Sequence, residues 1–283
     1  MQLTDATLLK NQAYLNGSWC DQASGRLFDV TNPANGESIT RVPDMGAEET
    51  RQVIEQAHAA WSDWKSKLAK DRSAIIRRWF ELVMANQDDL ARILSWEQGK
   101  PLAEATGEIA YGASFIEWFS EEAKRVYGDI IPPPQTDRRV VVIKQPVGVA
   151  AAITPWNFPN AMITRKAGPA LAVGCSIVIK PASATPLSAL ALAELAGRAG
   201  VPAGVSPDPL GWCMLPRLLD RPLVPVDHVH AHLAAGGLDR LTAATVKNLK
   251  INRNPKATYA RNDKTAAVTT SADKMSSTRS CRA

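Results

Sequence analysis

Val147-Gly148-Val149-Ala150-Ala151-Ala152-Ile153, continued by Thr154-Pro155-Trp156-Asn157-Phe158-Pro159, is the stretch that decides the fold. Its first seven residues are an unbroken run of small and β-branched apolar side chains without alternation, the composition of a strand covered on both faces. The proline-bounded loop leads into apolar positions Met162, Ala167, Leu171 and Val173, which predict a helix ending at Gly174. Cys175 to Ile179 reads as the next strand. Thr185-Pro186 then reads as the cap of a helix carrying Leu187, Leu190, Leu192 and Leu195 and stopping at Gly200. This β-α-β-α order predicts an α/β fold: a parallel sheet with helices on its faces and a ligand crevice beyond the carboxyl ends of its strands. Two polar positions fall there, Trp156-Asn157 after the first strand and Lys180 after the second. No GxGxxG sits at the first turn, so periodicity by itself stops at an α/β domain with a crevice.

Working outward, residues 47–66 carry Val53, Ile54, Ala57, Trp61 and Trp64 at helical spacing, and residues 72–94 repeat the pattern with Ile76, Phe80, Val83, Leu90 and Leu94. Glu97-Gln98-Gly99-Lys100-Pro101 reads as a corner, glycine stopping one helix and proline opening a third through Ile109, Phe115 and Trp118. Nearer the N-terminus, Tyr14-Leu15-Asn16-Gly17-Ser18-Trp19 predicts a hairpin, with a second turn at 32–36. Pro132-Pro133-Pro134 reads as an extended linker and Val140 to Ile143 as a strand.

The net charge of +5 is unevenly spread. Residues 206–283 hold 12 Lys+Arg against 6 Asp, so the patterned region is close to neutral and lacks the basic face expected of a nucleic-acid binder. Non-specific nucleic-acid binding through the basic tail remains only as an alternative. Cys20, Cys175, Cys213 and Cys281 lie far apart with no CxxC spacing, which signals neither a disulfide framework nor a zinc site. The N-terminus has no basic segment followed by an apolar run, and no stretch approaches the roughly 20 apolar residues of a membrane span, so a cytoplasmic location is expected.

The residues from Ile153 to Pro159, Met162 to Lys166, Val178 to Ser183, Ala189 to Leu195 and Gly200 to Val205, with Leu15-Asn16-Gly17, Asn32-Pro33 and Glu97 to Pro101, together resemble the aldehyde dehydrogenase superfamily. Among its members the likeness is to bacterial succinate-semialdehyde dehydrogenases and runs through residues 1–205. It implies the N-terminal part of that fold, an incomplete Rossmann-like parallel sheet preceded by helices. It also implies a reaction in which a cysteine thiolate attacks the aldehyde, hydride passes to the nicotinamide, and a glutamate-activated water releases the acid.

Carried over residue by residue, the resemblance makes Asn157 the donor that stabilises the oxyanion; at comparable sites the loss of such a donor costs about 3 kcal/mol. Ile153, Thr154, Pro155, Trp156 and Asn157, with Lys180, Pro181, Ala182 and Ser183, become the cofactor pocket. Lys180 matches a lysine that grips the adenosine ribose or its phosphate. Ser183 stands where NAD-preferring relatives often carry a glutamate, and a serine there does not repel a 2′-phosphate, which favours NADP with NAD as the alternative. Arg165 matches an arginine placed to pair with a substrate carboxylate. Read without the resemblance, Asn157 is a turn asparagine, Lys180 a solvated strand-end lysine and Arg165 one half of a helix-surface ion pair.

After Val205 the likeness breaks. The family's Glu-Leu-Gly-Gly base and Gly-Gln-x-Cys nucleophile do not occur in residues 206–283, which contain no Glu, Gln or Phe at all. Pro207, Pro209, Pro216, Pro222 and Pro225 argue against a regular helix or central strand there. Residues 206–283 are therefore expected to be an irregular tail read from a shifted frame, and the chain to be inactive as an oxidoreductase. That leaves a catalytically dead dinucleotide-binding fragment as the alternative to an active enzyme. A sheet stopped after β-α-β-α is expected to leave strand edges unpaired. Cys175 matches a buried structural position, while His228, His230 and His232 alternate as in a strand without an acid to complete a metal site. The small-molecule partner implied is an aldehyde. The family's homo-oligomeric habit is not carried over to a chain with such a tail.

Overall fold

The structure, a computed structural model, describes residues 2–15, 17–20, 25–205, 208–209 and 229–233, the last two stretches by their backbone alone. Two compact units divide the chain, one of residues 1–126 and 145–238, the other of 127–144 and 239–283.

The first unit opens with two antiparallel hairpins, β1 (Ala13–Leu15) with β2 (Ser18–Cys20) and β3 (Leu27–Thr31) with β4 (Ser38–Pro43). Leu15 pairs with Ser18, so the connection is the two-residue turn expected at 16–17, although Asn16 itself lies outside the described residues. Gly17 adopts φ +79°, and a Cβ on it would lie 2.6 Å from the Cβ of Ala203. Four helices follow: α1 (Ala47–Ser66), α2 (Ala69–Ala85), α3 (Gln87–Gln98) and α4 (Leu102–Glu122). In α1 the apolar stripe Val53, Ala57 and Trp64 is fully buried, with Glu48 and Glu49 in the first turn and Lys65 in the last, as the helix dipole favours. The single helix expected over 72–94 is two helices. At Asn86 both the backbone N–H and the side-chain Nδ2 donate to the Leu82 carbonyl, which ends α2, while the Asn86 carbonyl starts α3 by accepting from Leu90.

The sheet is built from β7 (Val149–Ile153), β8 (Ser176–Lys180), β9 (Asp208–Pro209) and β10 (Val229–Leu233), in the order β10-β7-β8-β9 with every neighbour parallel. α5 (Ala161–Val173) and α6 (Leu187–Ala199) are its crossover helices. Burial of Val149, Ala150 and Ala152 and of all but the last residue of β8 accounts for their unalternating apolar sequences. Buried indoles fasten the helical layer to the crossovers: Trp64 donates to the Leu171 carbonyl at 3.1 Å and Trp79 to that of Leu192 at 3.2 Å.

Two sequence expectations change here. Both edges of the β7–β8 pair are occupied, not bare, and the occupants come from residues 206–283, where an irregular tail is expected. Val229–Leu233 forms a strand that contains His230 and His232 of the alternating set; His228, Cys213 and Cys281 lie outside the described residues.

In the second unit β5 (Asp129–Ile131) and β6 (Val140–Val142) form an antiparallel hairpin. Pro132-Pro133-Pro134 belongs to the loop of this hairpin and is not a linker between domains, a position where prolines, lacking N–H donors, remove no ladder bond.

Candidate active site

β7 and β8 run in register, Ile153 beside Lys180, and the Thr154 N–H donates to the Lys180 carbonyl at 3.1 Å. The two segments that leave the sheet therefore start side by side. From β7, Trp156, Asn157 and Phe158 form an exposed loop; the Phe158 carbonyl then accepts from Met162 N–H at 2.9 Å in the first turn of α5. From β8, Lys180 is half-buried with its Nζ donating to the Pro181 carbonyl at 3.2 Å, and a turn closed by Thr185 N–H on the Ala182 carbonyl carries the half-buried Ala182 and Ser183. The nine positions expected to form the cofactor pocket thus lie on two adjacent exits from the sheet. No carboxylate stands among residues 181–186.

The fit to a dinucleotide rests on polar groups left unspent at these exits. Among the described residues the buried hydroxyls of Thr154 and Thr185 have no hydrogen-bond partner. Thr185 therefore does not cap α6 as its sequence position implies.

Two glutamates that the sequence presents as ordinary helix residues do the capping. Glu97 at the end of α3 is fully buried and accepts from Leu187 N–H at 2.6 Å, Ser188 N–H at 2.8 Å and the Ser188 hydroxyl at 2.5 Å, at the N-terminus of α6. Burial pushes its carboxyl up to about 8, against the pull of the Ser188 and Leu187 donors. Glu108 on α4 accepts from Asn160 N–H at 3.0 Å and Ala161 N–H at 3.3 Å at the N-terminus of α5, and its second oxygen pairs with Lys100. Lys100 was legible only as part of a helix-ending corner.

Arg165 is exposed on α5 with its guanidinium 5.0 Å from the Phe115 ring, and no carboxylate among the described residues pairs with it. Beside it Lys166 donates to the Met162 carbonyl at 2.9 Å; burial, and then the Arg165 charge, pushes its ammonium down to about 8. Cys175 is buried and burial pushes its thiol up, the environment of an inert cysteine. Among the described residues no group of three or more His, Cys, Asp or Glu is placed to hold a metal, and no helix is long and apolar enough to cross a membrane.

A parallel sheet flanked by crossover helices, with polar groups gathered beyond its carboxyl edge, defines an α/β ligand-binding domain. Residues 19–207 match the aldehyde dehydrogenase family, and the chain belongs to that family. It is 67% identical over 205 residues to a glutarate-semialdehyde dehydrogenase of Pseudomonas putida, covering 72% of this chain and 43% of that protein. It is 64% identical over 205 residues to the NADP(+) succinate-semialdehyde dehydrogenase of Escherichia coli, covering 72% of this chain and 42% of that one. A crystal structure of succinate-semialdehyde dehydrogenase from Burkholderia pseudomallei superposes with a TM-score of 0.79 at 54% identity, covering 88% of this chain and 52% of that chain. The chain thus spans less than half the length of these two curated relatives.

Proposed function

We propose that residues 1–205 are the cofactor-binding and oxyanion-bearing part of a cytoplasmic semialdehyde dehydrogenase, of the class that oxidises succinate semialdehyde with NADP. The observation that carries this is the placement of Asn157 and Lys180 on adjacent exits from the sheet, the one able to donate to a substrate oxygen, the other to a phosphate. When bound, the dinucleotide supplies the electron acceptor. Lys180 and Ser183 hold its adenosine end, and the missing carboxylate at Ser183 admits a 2′-phosphate. Arg165, with no carboxylate partner among the described residues, offers a bidentate partner to the substrate carboxylate.

The same reading makes the 283-residue polypeptide a binder of cofactor and not an oxidant of aldehyde, because residues 206–283 carry no glutamate to serve as base. A shifted reading frame after Val205 explains that composition; sequencing the gene tests it, and an original frame downstream without a Glu-Leu-Gly-Gly or Gly-Gln-x-Cys motif overturns it. Titration calorimetry tests the binding claim: Lys180→Ala should weaken NADP by about tenfold, the worth of one charge-assisted hydrogen bond, and Ser183→Glu should weaken NADP more than NAD. Reduced cofactor accumulating with succinate semialdehyde would refute the absence of turnover, and equal NADP binding by Lys180→Ala would refute the assigned pocket.

A further inference from the structure

We infer that Lys100 is a positioning residue for Asn157, fixing the loop that carries its side-chain amide; this rests on the role proposed above for Asn157. Lys100 stands 57 residues before Asn157, yet its ammonium meets that loop twice. It donates to the Asn157 backbone carbonyl at 3.3 Å and lies 4.1 Å from the centroid of the Phe158 ring. Its third contact is the ion pair with Glu108, whose side chain is 1% exposed and whose other oxygen takes the N–H groups of Asn160 and Ala161. One cation and one carboxylate therefore span the segment from Asn157 to Ala161, holding its carbonyl side and its N–H side at once.

The base of this clamp is rigid. Gly99 sits at φ +82°, a left-handed conformation that turns the chain out of α3, with its N–H on the Ser95 carbonyl at 2.9 Å. The Ser95 hydroxyl donates to the Lys100 carbonyl at 2.6 Å. A Cβ at position 99 would come within 2.9 Å of Pro33 Cγ, so the corner is closed from the other side too. Lys100 is thereby presented with 11% of its side chain exposed, in surroundings of weakened screening where a charge-assisted bond is strong. Trp156, Asn157 and Phe158 themselves are exposed, so little packing holds the loop apart from this cation.

The test is chymotryptic nicking of the intact chain. The Trp156–Asn157 bond is a cleavable site, whereas Phe158 is protected by the following Pro159. Lys100→Met keeps the length of the side chain and removes the charge. It should raise the nicking rate at Trp156 by about tenfold or more, since cleavage follows the population of the opened loop. The rate at Trp118, exposed but held in α4, should stay unchanged. Lys100→Arg, which keeps a cation against Glu108 and Phe158, should restore slow nicking to within about threefold of the parent. If Lys100→Met leaves Glu108 too costly to bury and fails to fold, the same rates are read in Lys100→Met with Glu108→Gln, where the amide oxygen still accepts from α5. Unchanged nicking at Trp156, or equal acceleration at Trp156 and Trp118, overturns the assignment. Neither cofactor nor aldehyde enters this assay, so its failure is separable from a failure of the Lys180 binding test.

Discussion

Replacing Glu97 with alanine strands the N–H groups of Leu187 and Ser188 inside the protein, because among the described residues Glu97 is their acceptor and the Thr185 hydroxyl does not turn toward them. A buried donor left without a partner costs about 1–3 kcal/mol, so two backbone donors cost about 2–6 kcal/mol, the Ser188 hydroxyl being free to rotate elsewhere. Relief of a desolvated carboxyl offsets part of this, and about 3 kcal/mol is expected net, a large share of the roughly 5–15 kcal/mol that holds a domain together. The carboxyl also makes stability depend on pH. Its value rises from 4.5 to about 8 in the folded chain, so between those limits the folded state keeps a proton that the unfolded state has released. Stability is then fully present below the unfolded value, declines as pH rises through the window, and levels off above about 8. Urea unfolding followed by far-ultraviolet circular dichroism, at the two ends of this window, measures both effects. Glu97→Ala should shift the midpoint at either pH, while Glu97→Gln, which keeps an acceptor but cannot ionise, should show a shallower decline with pH than the parent. A Glu97→Ala loss under about 0.5 kcal/mol, or a Glu97→Gln slope equal to that of the parent, would refute the reasoning.

Two further outcomes follow from named contacts. Gly17→Ala places a methyl against Ala203 at a left-handed position and should cost about 1–3 kcal/mol in thermal melts, whereas Gly25→Ala, also at positive φ but facing open space, should cost less. Asp5, held down to about 2 by Thr7 and Arg198, contributes stability above its ordinary 3.8 that is lost as pH falls through about 2. Asp5→Asn should therefore lower the unfolding free energy at neutral pH, by less than about 1 kcal/mol in this part-exposed site and with added salt shrinking the difference, and should cease to matter in acid.

What the sequence discloses is the part whose signal is local. β7, β8, α1, α5 and α6 are readable because their burial imposes a period or an apolar run on consecutive residues. The break at Asn86 is hidden since it needs neither glycine nor proline, only a side chain that returns to the Leu82 carbonyl. The hairpin around the triple proline is hidden for the opposite reason: β5 is exposed along its whole length and leaves no alternation to read. The edge strand Val229–Leu233 depends on β7, about 80 residues earlier in the chain. Asn157 and Lys180 stand out as polar positions after the two strands, but their roles, and Arg165 altogether, come only through resemblance, since each residue type is common in loops and on surfaces. Glu97 and Lys100 are marked in the sequence only as parts of a corner and Glu108 not at all, because their partners at 187–188 and 157–161 are brought to them by folding.

The carboxyl groups of Glu97 and Glu108 bear on how an anion can approach this sheet. Helices that follow parallel strands ordinarily offer their opening turns to phosphate, but here α5 and α6 have those amides already engaged by the protein's own carboxyl groups. A diphosphate arriving at either turn would find those N–H donors already taken. Under the proposed function, nucleotide recognition along this edge would fall to side-chain cations, and exchanging either glutamate for glutamine would not open a phosphate seat, since the amide oxygen would go on occupying the same donors.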